Sequence, residues 1–434
     1  MPQKRVLIIT YYWPPSGGSG VQRWLKFVKY LPQFGWTPVV YTPRNPSFAL
    51  RDESLSREIP PGTEVVREPI WEPHDIFFWF SKRFRNSPPS GHLASAGDHS
   101  VFQRLISWIR GNLFIPDARR YWIKPSVRFL SHYLTEHPVD VIISTGPPHS
   151  MHLIALRLAN RSGIPWLADF RDPWTTLNAY HELKLSGWSD RRHHALEKEV
   201  LTQASVVTVV GKSMKTEFDG KRNGKTIVLT NGYDDEDFSL VPTGPLDREF
   251  TFLHAGSFVP RRNPIALWAA LAELKEENHP MLADFRLNLT GQVDAVIKEA
   301  LGKAGLLEYC TLTPYLPHAE VVRQLRAAQV LLLPIDDFEG SKMILTGKLF
   351  EYLAAKRPIL CIGPPTGDAA DLLRETGSGV TCDFRDAAGI KEQLKILYDH
   401  YKNGSLSVSG SSTEQYSRRA LTEKLAHELN SMTS

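Results

Sequence analysis

The sequence predicts an α/β protein built from two open, parallel sheets, each covered by helices. Short apolar runs rich in Val, Ile and Leu alternate with helical patterns along most of the chain, as buried parallel strands and their crossover helices do. The alternation pauses at Val241-Pro242-Thr243-Gly244-Pro245 and restarts with Phe250-Thr251-Phe252-Leu253-His254. A length of 434 residues, 42% of them hydrophobic, suffices for two sizeable cores. The expected domains are residues 1–240 and 246–403, with a ligand cleft between them.

In the first half, Arg5-Val6-Leu7-Ile8-Ile9-Thr10 reads as a buried strand. The loop Pro14-Pro15-Ser16-Gly17-Gly18-Ser19-Gly20 follows, then a helical pattern through Trp24, Phe27 and Leu31. Strand, glycine-rich loop and helix bring backbone close to an anion. The spacing is not that of the dinucleotide fingerprint, and a tight turn without ligand is the other reading. A second strand covers Pro38 to Thr42. After an irregular stretch, a helix is expected over about Arg119 to Glu136 and a strand over Val139 to Ser144. Thr145-Gly146-Pro147-Pro148-His149 then leads into a helix through Met151, Ile154 and Leu158. The strand Pro165 to Ala168 ends at Asp169-Phe170-Arg171-Asp172-Pro173, where open α/β sheets hold their ligands. A helix over about Asp190 to Ala204 and strands at Val206 to Val210 and Thr226 to Leu229 complete this half.

The second half repeats the pattern with strands at Phe285 to Leu289, Cys310 to Thr313, Val330 to Ile335, Pro358 to Ile362 and Gly379 to Asp383. Helices are expected over about Ala387 to Lys402 and Glu414 to Leu429. Between two of these strands lies Thr346-Gly347-Lys348-Leu349-Phe350-Glu351-Tyr352-Leu353, with Leu349, Tyr352 and Leu353 at helical spacing. Thr346 suits an N-cap whose hydroxyl accepts from a first-turn N–H, and Arg357-Pro358 ends the helix. Lys348 and Glu351 share one face near the positive helix end. Free N–H groups and an ammonium suit a phosphate, and the carboxylate a turn further in suits a diol. Phosphate followed by diol describes a nucleotide, although alone the two charges also read as a solvated helix face.

Composition excludes several classes. A net charge of +4 is no argument for nucleic acid. Cys310, Cys361 and Cys382 lack metal or redox spacing and read as buried thiols of a reducing compartment. The chain shows no signal peptide and no apolar run near the roughly 18 residues of a spanning helix, so the expected place is the cytoplasm.

Lys348-Leu349-Phe350-Glu351-Tyr352-Leu353-Ala354-Ala355-Lys356-Arg357-Pro358-Ile359-Leu360 resembles the donor-nucleotide segment of family 4 glycosyltransferases, retaining enzymes of the GT-B fold. The resemblance implies two Rossmann-like, doubly wound domains facing a central cleft. The second would bind a nucleotide sugar and the first the acceptor, with the C-terminal helix, 414–434, crossing back to the N-terminal domain. It carries the role of donor-phosphate glycines to Gly17 and Gly18. The turn Ala255-Gly256-Ser257-Phe258-Val259-Pro260-Arg261-Arg262-Asn263-Pro264 resembles the loop with two basic phosphate ligands; the first falls on Ser257, a departure, and the second on Arg262. Lys348 and Glu351 would hold the donor as above. His149 falls beside the anomeric centre, where packing is the other reading, and Asp169 and Asp172 are acceptor-side acids with Arg171 as a partner. Catalytic roles thus fall to His149, Arg262 and Lys348. The first acid of the family's pair falls on Met343 and is missing; Glu339 stands at the wrong spacing.

The activity implied is retaining transfer of a hexosyl or N-acetylhexosaminyl group from a nucleoside-diphosphate sugar, UDP first, to a cell-surface glycan or lipid-linked acceptor. No cofactor or metal is expected, Asp235-Glu236-Asp237 being read as a domain-junction loop. A nucleotide-sugar 2-epimerase and an inactive nucleotide-sugar-binding protein are the alternatives. Residues 71–124 add a further expectation, because aromatic residues there interleave with arginine and lysine. Phe102, Leu105, Ile106, Ile109 and Leu113 recur at helical spacing beside Arg104 and Arg110, and Pro88 to Ser100 reads as a polar loop. Such a helix suits an anionic membrane surface on the inner face of the cell membrane, or packs on the domain's own core.

Overall fold

A computed structural model of the chain describes residues 3–48, 50–72, 108–176, 180, 183–242, 244–408 and 413–434. The stretch Pro88 to Ser100, expected as a loop, and residues 101–107, expected as part of a basic aromatic helix, lie outside the described residues; 108–113 are helical. The chain forms two compact units, Met1–Thr230 with Arg418–Ser434, and Asn231–Ser417.

The first unit runs β1 (Lys4–Ile9), α1 (Ser19–Tyr30), β2 (Trp36–Pro43), β3 (Glu64–Glu68), α2 (Arg120–Glu136), β4 (Val141–Gly146), α3 (Ser150–Ser162), β5 (Trp166–Phe170), α4 (Gly187–Gln203), β6 (Val206–Val209), α5 (Lys212–Asp219) and β7 (Lys225–Val228). Its strands form one parallel sheet in the order β3-β2-β1-β4-β5-β6-β7. Val6, Leu7, Ile8 and Ile9 are wholly buried, covered on both faces, which is why the central strands read as continuous apolar runs. One face packs Trp122, Leu130, Ile154 and Val200; the other packs Trp24 and Leu25 against Leu425 and Leu429. Those leucines belong to the final helix, Arg418–Met432, which completes the first unit's core. It starts later than expected, because Glu414–Tyr416 forms a separate 3₁₀ turn. β3 was not foreseen: as an edge strand it is half exposed and has little apolar signature.

The second unit runs α6 (Asp235–Ser239), β8 (Phe250–Ala255), α7 (Ile265–Glu276), β9 (Phe285–Thr290), α8 (Ala295–Lys303), β10 (Cys310–Thr313), α9 (His318–Ala327), β11 (Val330–Pro334), α10 (Gly347–Ala355), β12 (Ile359–Ile362), α11 (Asp368–Thr376), β13 (Gly379–Cys382) and α12 (Ala387–Lys402). The parallel order is β10-β9-β8-β11-β12-β13. Asp235, Glu236 and Asp237, expected in a loop, form the first turn of α6. The Asp234 side chain caps that turn, and the three acids complement the positive helix end. Tyr233, Phe238 and Val241 are buried with Leu253 and Leu349, so this stretch belongs to the second unit's core. Cys361 and Cys382 are buried as expected, whereas Cys310, on edge strand β10, is partly exposed.

Candidate functional site

Each sheet reverses its winding once, at β1/β4 in the first unit and at β8/β11 in the second. The carboxyl ends of strands at such points are where α/β sheets open a ligand crevice.

In the second unit, Gly256 follows β8 with φ +108, and Gly291 follows β9 with φ +116. A Cβ on Gly291 would stand 2.8 Å from the Gly256 carbonyl oxygen, and one on Gly256 would stand 2.5 Å from Lys348 Cε. Positive φ and this close approach both demand glycine. Lys348, from the first turn of α10, lies over Gly256; its Nζ donates to the Ser257 carbonyl at 3.2 Å. Arg262 Nη1 donates to the same oxygen at 3.3 Å, and its Nε pairs with Asp336. Burial, and then the Arg262 charge, push the Lys348 ammonium down to about 7, against the pull of Glu351 and Asp336. Behind Lys348 stands His254, buried at the end of β8, with Nε2 at 3.3 Å from Nζ.

Helix α10 is fixed to this strand end by Tyr352, whose hydroxyl accepts from the Ala255 N–H at 3.0 Å. Glu351 sits half-buried one turn beyond the helix start. Thr346 occupies the N-cap with extended backbone, but its hydroxyl caps nothing; Oγ1 is buried and finds no partner among the described residues. The first-turn N–H groups are therefore not closed by that side chain. The helix ends at Lys356, in the left-handed conformation, one residue before the expected stop. Arg357 turns inward and donates to the Ala328 and Gln329 carbonyls. Next to Arg262, a cavity of about 200 Å³ is lined by Asn263, Pro264, Pro334, Ile335 and Phe384.

In the first unit, Gly18 has φ +87 and caps α1, while the Gly17 N–H donates to the Leu50 carbonyl at 2.9 Å. Arg171 ties this loop to the neighbouring strand ends: Nη1 donates to Gly20 O at 2.7 Å, and its backbone N–H donates to Gly146 O. It brackets backbone instead of pairing with Asp169. His149 precedes α3, its ring stacked flat on Trp174 at 4.4 Å. Burial, and then His152, hold it well below the usual histidine range, so it is neutral. Its Nδ1 is buried with no partner among the described residues.

Asp169 corrects an expectation. It is wholly buried and accepts from Arg23 Nε and Nη2, Trp24 Nε1, Thr145 Oγ1 and Thr208 Oγ1, at 2.7 to 3.2 Å. Burial raises its pKa, but Arg23 and the other donors outweigh that and hold it at about 2. A carboxylate so enclosed has no lone pair left for an acceptor; it is a scaffold group. Asp172 is partly exposed, and burial raises its pKa against the pull of Arg171. Ser257, Arg262 and Lys348 thus converge, with Glu351 on the same helix as Lys348. His254, Asp336 and Tyr352 complete the surroundings; sequence reading assigned them no site role, because His254 and Tyr352 find their partners only once α10 lies across β8, and Asp336 meets Arg262 only once β8 and β11 are neighbours.

Two sheets of this kind, each with its switch-point crevice, define the GT-B fold, and the chain belongs to the GT-B glycosyltransferases of the family 4-like group. Residues 17–232 match the glycosyl transferase 4-like domain and residues 249–400 match glycosyl transferases group 1. Among solved structures, sucrose-phosphate synthase from Thermosynechococcus elongatus is similar at 13% identity and TM-score 0.64, over 99% of both chains. TarM from S. aureus, in a complex that includes UDP, is similar at 11% identity and TM-score 0.60, over 98% of this chain and 100% of that one. A structure described as a UDP-N-acetylglucosamine 2-epimerase from Listeria monocytogenes is similar at 10% identity and TM-score 0.56, over 99% of this chain and 96% of that one. At such identities the likeness is one of fold. No match was found among curated proteins.

Proposed function

We propose that this glycosyltransferase is a retaining, metal-independent enzyme that moves a hexosyl or N-acetylhexosaminyl group from a UDP-sugar to a cell-surface glycan or glycolipid acceptor. The observation that carries the reading is the meeting of Lys348 and Arg262 on the Ser257 carbonyl at the start of α10, with Glu351 a turn beyond. Breaking the anomeric C–O bond leaves a diphosphate of growing negative charge, and preorganised cations stabilise that change without a metal. Lys348 and Arg262 take the diphosphate; the Gly17 N–H already donates to the Leu50 carbonyl and is not offered to a ligand. Glu351 accepts from the ribose hydroxyls. Neutral His149 contacts the sugar at the reaction centre, and Asp172 is the acceptor-side acid. UDP as donor is supported by its presence in the TarM complex.

The Listeria neighbour gives a reason to keep epimerisation as the second reading. Incubation with UDP-sugars alone separates the readings. An epimerase converts the donor without acceptor, a transferase at most hydrolyses it slowly, and an inactive binder does neither.

The reading also includes peripheral attachment to the inner face of the cell membrane. Among the described residues no helix is long and apolar enough to cross a membrane. Trp71, Trp108, Leu113 and Tyr121 are nonetheless exposed. Trp71 and Tyr121 meet edge to face at 4.9 Å, and the Arg120 guanidinium lies over Tyr121. Exposed rings beside arginine suit a headgroup layer with anionic lipid.

A further inference from the structure

We infer that His254 is the positioning residue of Lys348, a buried neutral base that holds the lysine ammonium over Gly256 and keeps it a cation. The inference deepens the donor-site reading and rests on it only for what Lys348 binds.

The protonation pattern follows from the partners. His254 is 1% exposed, at the end of β8, and its Nδ1 lies 3.1 Å from the Leu332 carbonyl oxygen of β11. A carbonyl only accepts, so Nδ1 carries the hydrogen. Burial, and then the Lys348 charge, hold the imidazole far below its usual range against hydrogen bonds to the Leu332 and Ser257 backbone, so the ring is neutral; with its hydrogen on Nδ1, Nε2 presents a lone pair. Lys348 Nζ stands 3.3 Å from that lone pair and has only hydrogens to offer, so Lys348 donates and His254 accepts. With the Ser257 carbonyl at 3.2 Å, two acceptors define the ammonium's position.

The arrangement answers an electrostatic difficulty. A cation meant for an anionic ligand stands beside a second cation, Arg262, and away from water. Those are the two causes that lower its pKa to about 7. The groups that face it are Arg262 from the turn after β8, Asp336 from the loop after β11, Glu351 from its own helix and His254 from β8. Glu351 and Asp336 favour the charged form. Glu351 is assigned to the ribose and Asp336 is paired with Arg262, so both have other duties. His254 is the neighbour whose ring is fixed by the sheet and whose remaining lone pair points at Nζ. An acceptor there bonds –NH₃⁺ more strongly than –NH₂, and it repels no incoming phosphate as a carboxylate would.

The test uses the whole chain and two substitutions that differ in reach. His254→Asn keeps a donor for Leu332 and is too short to reach Nζ, whereas His254→Gln restores an acceptor near the Nε2 position. Competitive acetylation of Lys348 against pH, read by mass spectrometry without ligand, should show a wild-type midpoint near 7. His254→Asn should lower that midpoint by about one pH unit, as loss of one charge-assisted hydrogen bond implies, and His254→Gln should return it. UDP titrations should show the alkaline loss of affinity moving the same way, with binding at pH 7 weaker by about fivefold for the Asn variant. In a Lys348→Met background the His254 substitutions should change UDP binding no further. An unmoved labelling midpoint in His254→Asn overturns the inference, as does an equal loss of affinity in the Lys348→Met background. If the wild type binds no UDP, the donor reading falls, while the labelling curves still decide the pair.

Discussion

Asp169→Asn distinguishes scaffold from chemistry at the end of β5. The substitution changes little in size and removes the charge facing Arg23, itself buried and tied to the Thr230 and Leu229 carbonyls. The new amide would also point hydrogens at a side surrounded by donors: the guanidinium, the Trp24 indole, Thr145 and Thr208. Breaking a buried pair in this way costs about 3–5 kcal/mol. For a unit of this size that is a fall in Tm of roughly 10 °C. Acid supplies a second measure. The folded carboxyl lies at about 2 against an ordinary 3.8. This depressed group therefore contributes stability that is fully present above pH 4 and lost as pH falls through 2, on the order of 2 kcal/mol. Denaturant unfolding of wild type and variant from pH 6 down to 2 should show the difference between them shrinking in that window. A variant that keeps the wild-type midpoint at pH 7 yet loses transfer would refute the scaffold assignment and return Asp169 to the acceptor.

Glu351→Ala should weaken UDP binding by about 1.5–3 kcal/mol per charge-assisted bond lost while the fold persists; an unchanged calorimetric Kd would remove the ribose role. Arg262→Ala should act mainly on kcat, because diphosphate charge grows towards the transition state, and chelator should leave steady-state rates unaltered; strict dependence on Mg²⁺ or Mn²⁺ would contradict a protein-borne positive site. Gly256→Ala combines positive φ with a collision on Lys348, so it should lower Tm by the cost of roughly 1–3 kcal/mol of backbone strain and weaken UDP binding; normal affinity would mean that Lys348 need not lie over Gly256. Flotation with anionic vesicles at low salt should exceed that with neutral ones and fall on replacing Trp71 and Tyr121 by Ser and Arg120 by Glu; equal, poor flotation with both would point to a soluble acceptor.

How much of this was legible in the sequence depends on how local each signal is. Strands such as Val6 to Ile9 announce themselves because both faces are buried; β3, at the edge, does not. Lys348 and Glu351 could be placed together because helical spacing alone puts them on one face. Asp169 was misread because its principal partner, Arg23, lies 146 positions away in the chain, and at the end of a strand a structural acid looks like a functional one. Thr346 has the residue type and backbone of a cap, but its hydroxyl is turned into the protein, a rotamer choice that sequence does not reveal. His254, inside an apolar strand, reads as packing until α10 is laid across it.

The final helix has a consequence for how the molecule is made. Leu421, Leu425, Ala426 and Leu429 fill the face of the first unit that Val21, Trp24 and Leu25 also form, yet they are synthesised after the whole of the second unit. Three buried leucines at about 1.5–3 kcal/mol each represent roughly 5–9 kcal/mol, comparable with the entire stability of many domains. While the ribosome is still reading residues 231–417, the first unit has its sheet but lacks one covering helix, and α1 carries an open apolar stripe. The first half translated is therefore the last half finished. A stop codon just before Arg418, which removes no residue of either crevice, would leave that stripe permanently uncovered and the product prone to aggregate.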